Sequence, residues 1–210
     1  MTTTQSYTYI LLADGLFPTH PLPLSYLQQA DKVVCCDGAS QKLLDFGKIP
    51  DYIVGDFDSI SPQIRDRFQD RLIHNPDQET NDLTKGFHFC LELGATNLTI
   101  LGATGLREDH TLGNISLLAD YAMKLPTVRM MTDFGVFTVI STSVTMKSYP
   151  GQQISLFALD PTQRITSDGL KYPLENRSLT NWWQGTLNES LSDSFQIELS
   201  HGNLLLFQCY

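Results

Sequence analysis

The chain has 210 residues, 41% apolar and 18% charged, a balance that supports a packed core and excludes wholesale disorder. Fourteen Lys and Arg against 23 Asp and Glu give a formal charge of −9, which excludes charge-driven binding to a nucleic-acid backbone. No apolar run approaches the roughly 18 residues of a membrane span, so no membrane partner is expected.

From the start to about Met131 the chain alternates β-rich runs with helical stretches. Met1–Gln5 is polar and uncharged with no basic segment leading into an apolar one, so no signal peptide is expected. Strands are predicted at Tyr7–Leu12, Lys32–Cys36, Tyr52–Val54, Arg71–His74, Asn97–Leu101 and Val128–Met131. Ser61-Pro62 reads as the cap and first turn of a helix. Leu83, Phe87 and Leu91 line one face of another, which Gly94 stops. Leu112, Ile115, Ala119 and Met123 mark the apolar face of a third, ended near Pro126. Nearly continuous apolar strands alternating with helices predict a parallel, Rossmann-like α/β sheet covered on both faces.

After residue 132 the rhythm changes. Gly135–Ile140, Val144–Ser148, Gln153–Leu159, Phe195–Leu199 and Leu204–Gln208 are short β segments punctuated by Pro150-Gly151, Asp168-Gly169 and His201-Gly202-Asn203. Residues 133–210 are therefore expected to form a second, antiparallel β-sandwich domain after an α/β domain over 1–132. The four cysteines, at 35, 36, 90 and 209, form no C-x-x-C pair and no disulfide framework, which places the expected compartment as the reducing cytoplasm.

Of the 23 acids, 17 are Asp, a residue of loops, caps and metal sites. They gather after predicted strands, where open α/β sheets bind ligands. Asp37-Gly38-Ala39 follows the second strand, Gly55-Asp56-Phe57-Asp58-Ser59 the third, Asp77 to Asp82 the fourth, and Gly102-Ala103-Thr104-Gly105 with Arg107, Asp109 and His110 the fifth. Asp56 and Asp58, two apart at a strand end, either form a polar turn or point to one side and share a hard cation such as Mg²⁺. Asp82 alone is an ordinary first-turn acid, Asp37 a turn former, and His110 a structural histidine. The Gly102–Gly105 loop suits close approach of backbone N–H groups to phosphate, and Arg107 adds a planar fork of donors. Neither a Walker phosphate loop, a G-x-G-x-x-G stretch nor a nucleophile elbow is present. Together the blocks point to phosphate and metal chemistry.

Taken jointly and in order, Asp37-Gly38-Ala39, Gly55 to Ser59, Asp77-Gln78, Asp82-Leu83-Thr84-Lys85, and Gly105 with Arg107, Asp109-His110 and Asn114 resemble the thiamine pyrophosphokinase family. The likeness continues more thinly through Gly169 to Leu174 and Asn188-Glu189. It implies transfer of a diphosphoryl group from ATP to thiamine with Mg²⁺, in a homodimer, by an α/β nucleotide domain followed by a β-sandwich that contributes to thiamine binding and dimerisation. It assigns Asp56, Asp58 and Asp82 to the metal, with Asp58, Asp82 and Arg107 catalytic. Asp37, Gln78, Lys85, Thr104, Gly105, Asp109, His110, Asn188 and Glu189 fall around nucleotide and substrate. Asn81 stands where a Thr is common, and Leu187 where a Ser usually precedes the Asn-Glu pair. A metal-dependent nucleotide phosphohydrolase and a non-catalytic nucleotide or thiamine sensor are the competing readings. Trp182 and Trp183 are read as core or interface residues ahead of stacking platforms.

Overall fold

The computed structural model describes residues 7–210, so Met1–Gln5 lies outside the described residues. The chain divides into two compact units, Met1–Asp133 and Phe134–Tyr210.

Among the described residues the first unit is built on six parallel strands: β1 (Tyr9–Leu12), β2 (Lys32–Cys36), β3 (Tyr52–Gly55), β4 (Leu72–His74), β5 (Leu98–Leu101) and β6 (Arg129–Met131). Their order is β6-β5-β1-β2-β3-β4, every neighbouring pair parallel. Leu11, Leu12, Val33, Val34, Ile53 and Ile100 are buried, as continuous apolar strands covered on both faces must be. From β1 at the sheet centre the chain runs outward to β4, then returns to the far side of β1. That reversal is a topological switch point, where loops diverge and leave a crevice.

Five helices connect these strands: α1 (Pro21–Gln29), α2 (Ala39–Asp45), α3 (Pro62–Arg67), α4 (Asp82–Glu92) and α5 (Glu108–Lys124). Ser61 caps α3 as expected, its hydroxyl accepting from Ile64 N at 3.3 Å. On α4 the buried stripe is Leu83, Phe87 and Cys90, and Gly94, at φ +81°, ends the segment. The expected face of α5 is not the buried one. Leu112 and Met123 are 57% and 74% exposed, whereas Leu118 and Tyr121 are buried. Two apolar stripes run along this helix, and tertiary contacts choose between them. The Tyr121 ring stacks on Phe87 of α4 at 4.1 Å, and its hydroxyl lies 2.7 Å from the Thr84 hydroxyl.

The second unit is antiparallel. Strands β7 (Gly135–Ile140), β8 (Val144–Lys147), β9 (Gln153–Ala158), β10 (Ile165–Asp168), β11 (Asn188–Glu189), β12 (Ser194–Leu199) and β13 (Leu204–Cys209) form two sheets, ordered β11-β9-β13-β7 and β10-β12-β8. Ile154, Leu156 and Ala158 on one, with Phe195 and Ile197 on the other, alternate inward and share a single apolar core. The unit is a β-sandwich. Strands β10 and β11 escape sequence patterning because each is short and mostly or wholly polar.

Candidate active site

The crevice at the switch point is a cavity of about 400 Å³ within the first unit. The turn after each of five strands supplies part of its lining: Asp14 and Gly15 after β1, Asp37 and Gly38 after β2, Ser59 after β3, Asn81 and Asp82 after β4, Thr104 and Arg107 after β5. His110 and Asn114, from the start of α5, complete one side.

Carboxylate oxygens of Asp37, Asp56 and Asp82 lie within 4.8 Å of one another. Asp37 occupies a left-handed backbone position at φ +32° and is 3% exposed. Its Oδ2 accepts from Ser59 N at 2.9 Å, but Oδ1 is buried with no hydrogen-bond partner among the described residues. Burial raises its pKa above the ordinary carboxylate value, and the charges of Asp82, Asp56 and Asp14 push the same way. Asp56 is held the other way, its pKa lowered by the Gln78 side-chain amide at 3.2 Å and by Asp58 N at 3.2 Å. Asp82, in the first turn of α4, pairs with the buried Lys85 ammonium at 3.1 Å. The Asn81 side chain caps that helix by accepting from Thr84 N at 2.9 Å.

Asp58 does not join this group, and the reason is local. Strand β3 ends at Gly55, and Phe57 turns the chain at φ +69°, so strand alternation no longer aligns residues 56 and 58. The Asp58 backbone N–H instead closes an Asx turn on Asp56 Oδ1. Asp37 takes the third place.

On the opposite side, Arg107 grips Asp109 with two prongs, Nε to Oδ1 at 3.0 Å and Nη2 to Oδ2 at 2.5 Å. This holds the Asp109 pKa down to about 2, with His110 N donating to the same carboxylate at 2.8 Å. Gly105 sits at φ +91°, a conformation only glycine adopts without strain, and its N–H donates to the Thr111 hydroxyl at 3.3 Å. Asn114 holds the Ala103 carbonyl at 2.8 Å.

Sequence patterning missed the turn after β1. Gly15 N donates to Gly102 O at 2.6 Å, and Leu16 N to Thr104 O at 2.8 Å, so this turn lies against the glycine loop. A Cβ on Gly15 would stand 2.4 Å from Gly102 O and 2.7 Å from Thr104 O. Gly15→Ala must therefore part the two loops, with an expected cost of about 1–3 kcal/mol. Thermal denaturation checks this. The available signal was Ala13-Asp14-Gly15 directly after a buried strand.

In the second unit, the two blocks of the sequence resemblance meet. Lys171 N donates to Glu189 O at 2.8 Å, and Leu191 N to Gly169 O at 2.9 Å. Asn188 is buried, and its side-chain amide clasps both backbone groups of Tyr172, at 3.0 and 2.8 Å. The Glu189 carboxylate pairs with Lys171 at 3.1 Å. Trp182 bonds the Ala158 carbonyl at 3.2 Å and meets the Phe157 ring edge-on, whereas Trp183 is 70% exposed.

A parallel sheet whose strand-end turns bring carboxylates, glycines and an arginine to one crevice defines an α/β phosphate-handling enzyme. Residues 24–130 match the family described as thiamin pyrophosphokinase, catalytic domain, and residues 135–207 match thiamin pyrophosphokinase, substrate-binding domain. The chain belongs to the thiamin pyrophosphokinase family. It is 30% identical over 152 residues to thiamine pyrophosphokinase of Bacillus subtilis (strain 168), covering 69% of this chain and 71% of that one. Identity to thiamin pyrophosphokinase 1 of Caenorhabditis elegans is 29% over 160 residues, 70% of this chain and 65% of the worm protein, a little under two thirds of its length. A crystal structure of the Bacillus subtilis thiamine pyrophosphokinase superposes with a TM-score of 0.81 at 25% identity, covering 96% of this chain and 98% of that chain.

Proposed function

We propose that the chain transfers the terminal diphosphoryl group of ATP to the hydroxyl of thiamine, giving thiamine diphosphate and AMP. The observation that carries this reading is the Asp37, Asp56 and Asp82 group at a glycine-bordered crevice, in the unit that matches the family's catalytic domain.

The crevice fits a hard divalent cation. Three carboxylates converge, and the buried Asp37 Oδ1, with no partner among the described residues, lacks the neutralising contact that coordination would provide. Asp37, Asp56 and Asp82 would hold Mg²⁺, with Asp58 on the adjoining turn. When bound, the ion supplies charge neutralisation for the polyphosphate, without which about four negative charges of ATP could not approach these acids.

The chain's own groups do the rest. Transfer of this kind asks for positioning and electrostatic stabilisation, not for a covalent nucleophile. Arg107 uses two of its five N–H donors on Asp109 and retains three for phosphate oxygens. Thr104 and His110 line the cavity where the nucleotide would lie, while Lys85, Gln78 and Asp109 act from outside that lining, Lys85 through Asp82, Gln78 through Asp56 and Asp109 through Arg107, with Gly105 shaping the loop. The thiamine hydroxyl oxygen bonds to the β-phosphorus. The bond from that phosphorus to the α,β-bridging oxygen breaks, and AMP leaves with the electron pair. The hydroxyl proton passes to the carboxylate of Asp58 or Asp82.

The second unit's part in thiamine binding is supported by its match to the family's substrate-binding domain. There the Glu189 carboxylate, already paired with Lys171, would face a second cation as well, while Asn188 shapes the Lys171–Tyr172 segment, because its amide is closed on Tyr172. A homodimer belongs to this reading, and sedimentation that finds only monomer at working concentration removes it. The cytoplasmic assignment is supported by the free thiols of Cys35, Cys36, Cys90 and Cys209. Among the described residues no helix is long and apolar enough to cross a membrane.

Chromatography of protein incubated with ATP, Mg²⁺ and thiamine tests the reaction. Equimolar AMP and thiamine diphosphate are expected. ADP with thiamine monophosphate would identify a γ-phosphoryl kinase, phosphate release independent of thiamine a hydrolase, and binding without products a sensor; each overturns the proposal.

A further inference from the structure

Lys42, on α2, is not among the cavity-lining residues, yet it holds one of the cavity's walls. Its ammonium meets three oxygens, each at 2.8 Å: the Asp14 carbonyl, the Gly15 carbonyl and Asp14 Oδ1. An ammonium has three donors, so all are engaged by the turn after β1. Asp14 and Gly15 both line the cavity, and Gly15 is bonded in turn to Gly102 of the glycine loop. On its other side the Asp14 carboxylate leaves no room over Gly38, where an added Cβ would stand 2.5 Å from Oδ2. Asp14 is also not one of the three acids that meet at the candidate metal position, so a cation there would not neutralise it directly.

We propose that Lys42 is a positioning residue for the nucleotide, acting through Asp14 and Gly15. It fixes the β1 turn against the Gly102–Gly105 loop and cancels a carboxylate charge that would otherwise repel polyphosphate from the wall. The proposal rests on the reading of this cavity as the ATP site. Side-chain exposures of 33% and 47% leave the Lys42–Asp14 pair open to solvent, so its effect falls as ionic strength rises.

The test compares Lys42→Met, Lys42→Arg, Asp14→Asn and the double variant Lys42→Met with Asp14→Asn. Lys42→Met is expected to raise KM for ATP about tenfold, with kcat and KM for thiamine changing less than about twofold. Lys42→Arg recovers part of the loss because it keeps charge and donors. The double variant also recovers part, because the stranded carboxylate is gone. Calorimetry with a non-hydrolysable ATP analogue and Mg²⁺ should give the same ranking, and it reads nucleotide affinity whether or not thiamine is the acceptor. An unchanged KM for ATP in Lys42→Met overturns the proposal, as does a fall in kcat alone that follows lost thermal stability. So does a double variant no better than the single one. Should Lys42→Met fail to fold, Asp14→Asn alone decides: equal or tighter analogue binding supports the proposal and weaker binding overturns it.

Discussion

Asp82→Asn is expected to lower turnover at least about 100-fold while leaving the fold intact, since groups that merely support metal ligands already contribute about 10–100-fold. Asparagine keeps an oxygen for the Lys85 ammonium, now at 3.1 Å, and leaves the Asn81 cap of α4 undisturbed. What it removes is a negative charge that, on the proposed function, would help hold a divalent cation beside Asp37 and Asp56. Turnover measured across a Mg²⁺ titration, alongside circular dichroism melts, separates a lost ligand from a lost fold. The apparent Mg²⁺ requirement should rise together with the fall in kcat. Asp58→Asn should lose less, because that residue stands apart from the three converging carboxylates. Near wild-type activity of Asp82→Asn at limiting Mg²⁺ would remove Asp82 from the metal set.

The second large effect is on stability. Phe87 is fully buried on α4 and stacks on Tyr121 of α5, with ring centroids 4.1 Å apart and planes 11° apart. Truncation to alanine removes that contact and leaves a void that neighbouring backbone cannot fill, at a cost of about 3–5 kcal/mol. For a protein of this size that corresponds to a fall in Tm of roughly 6–20 °C for the first unit. Differential scanning calorimetry reads it directly. A fall below about 3 °C would mean that α4 and α5 repack freely, and the Phe87–Tyr121 stack would not be what orients α5.

That stack also marks where local pattern stops being informative. On α5, Leu112, Ile115, Ala119 and Met123 have helical spacing as good as that of the stripe containing Leu118 and Tyr121. Periodicity establishes that a helix forms, but two stripes satisfy it equally. Only the neighbouring helix, offering an aromatic face and the Thr84 hydroxyl, decides which stripe is covered. On α4, Leu83 and Phe87 are buried where their spacing placed them, whereas the third expected position, Leu91, is only partly buried and Cys90 packs inward instead.

The site divides in the same way. Glycines and aspartates after buried strands are legible because turn chemistry is local: a left-handed residue or an Asx turn needs only its own few neighbours. The change of rhythm after residue 132 is equally local, a shift from helical to alternating periodicity. So the sequence by itself determined the α/β unit, the sandwich after it, four of the five turns that line the cavity and, through their joint order, the family. Which side chains meet is another matter, because it depends on strand order and backbone direction across distant turns. The left-handed Phe57 separates Asp58 from Asp56, and the strand order β5-β1-β2-β3 draws Asp37 in beside Asp56 and Asp82. It also sets the Asp14 turn against the glycine loop under the hold of Lys42. Asn188 looks like a ligand contact in sequence, and only the fold reveals its amide closed on Tyr172. Local turn chemistry brings reactive groups to the ends of strands, whereas the long-range pairing of those strands sets the few ångströms between them.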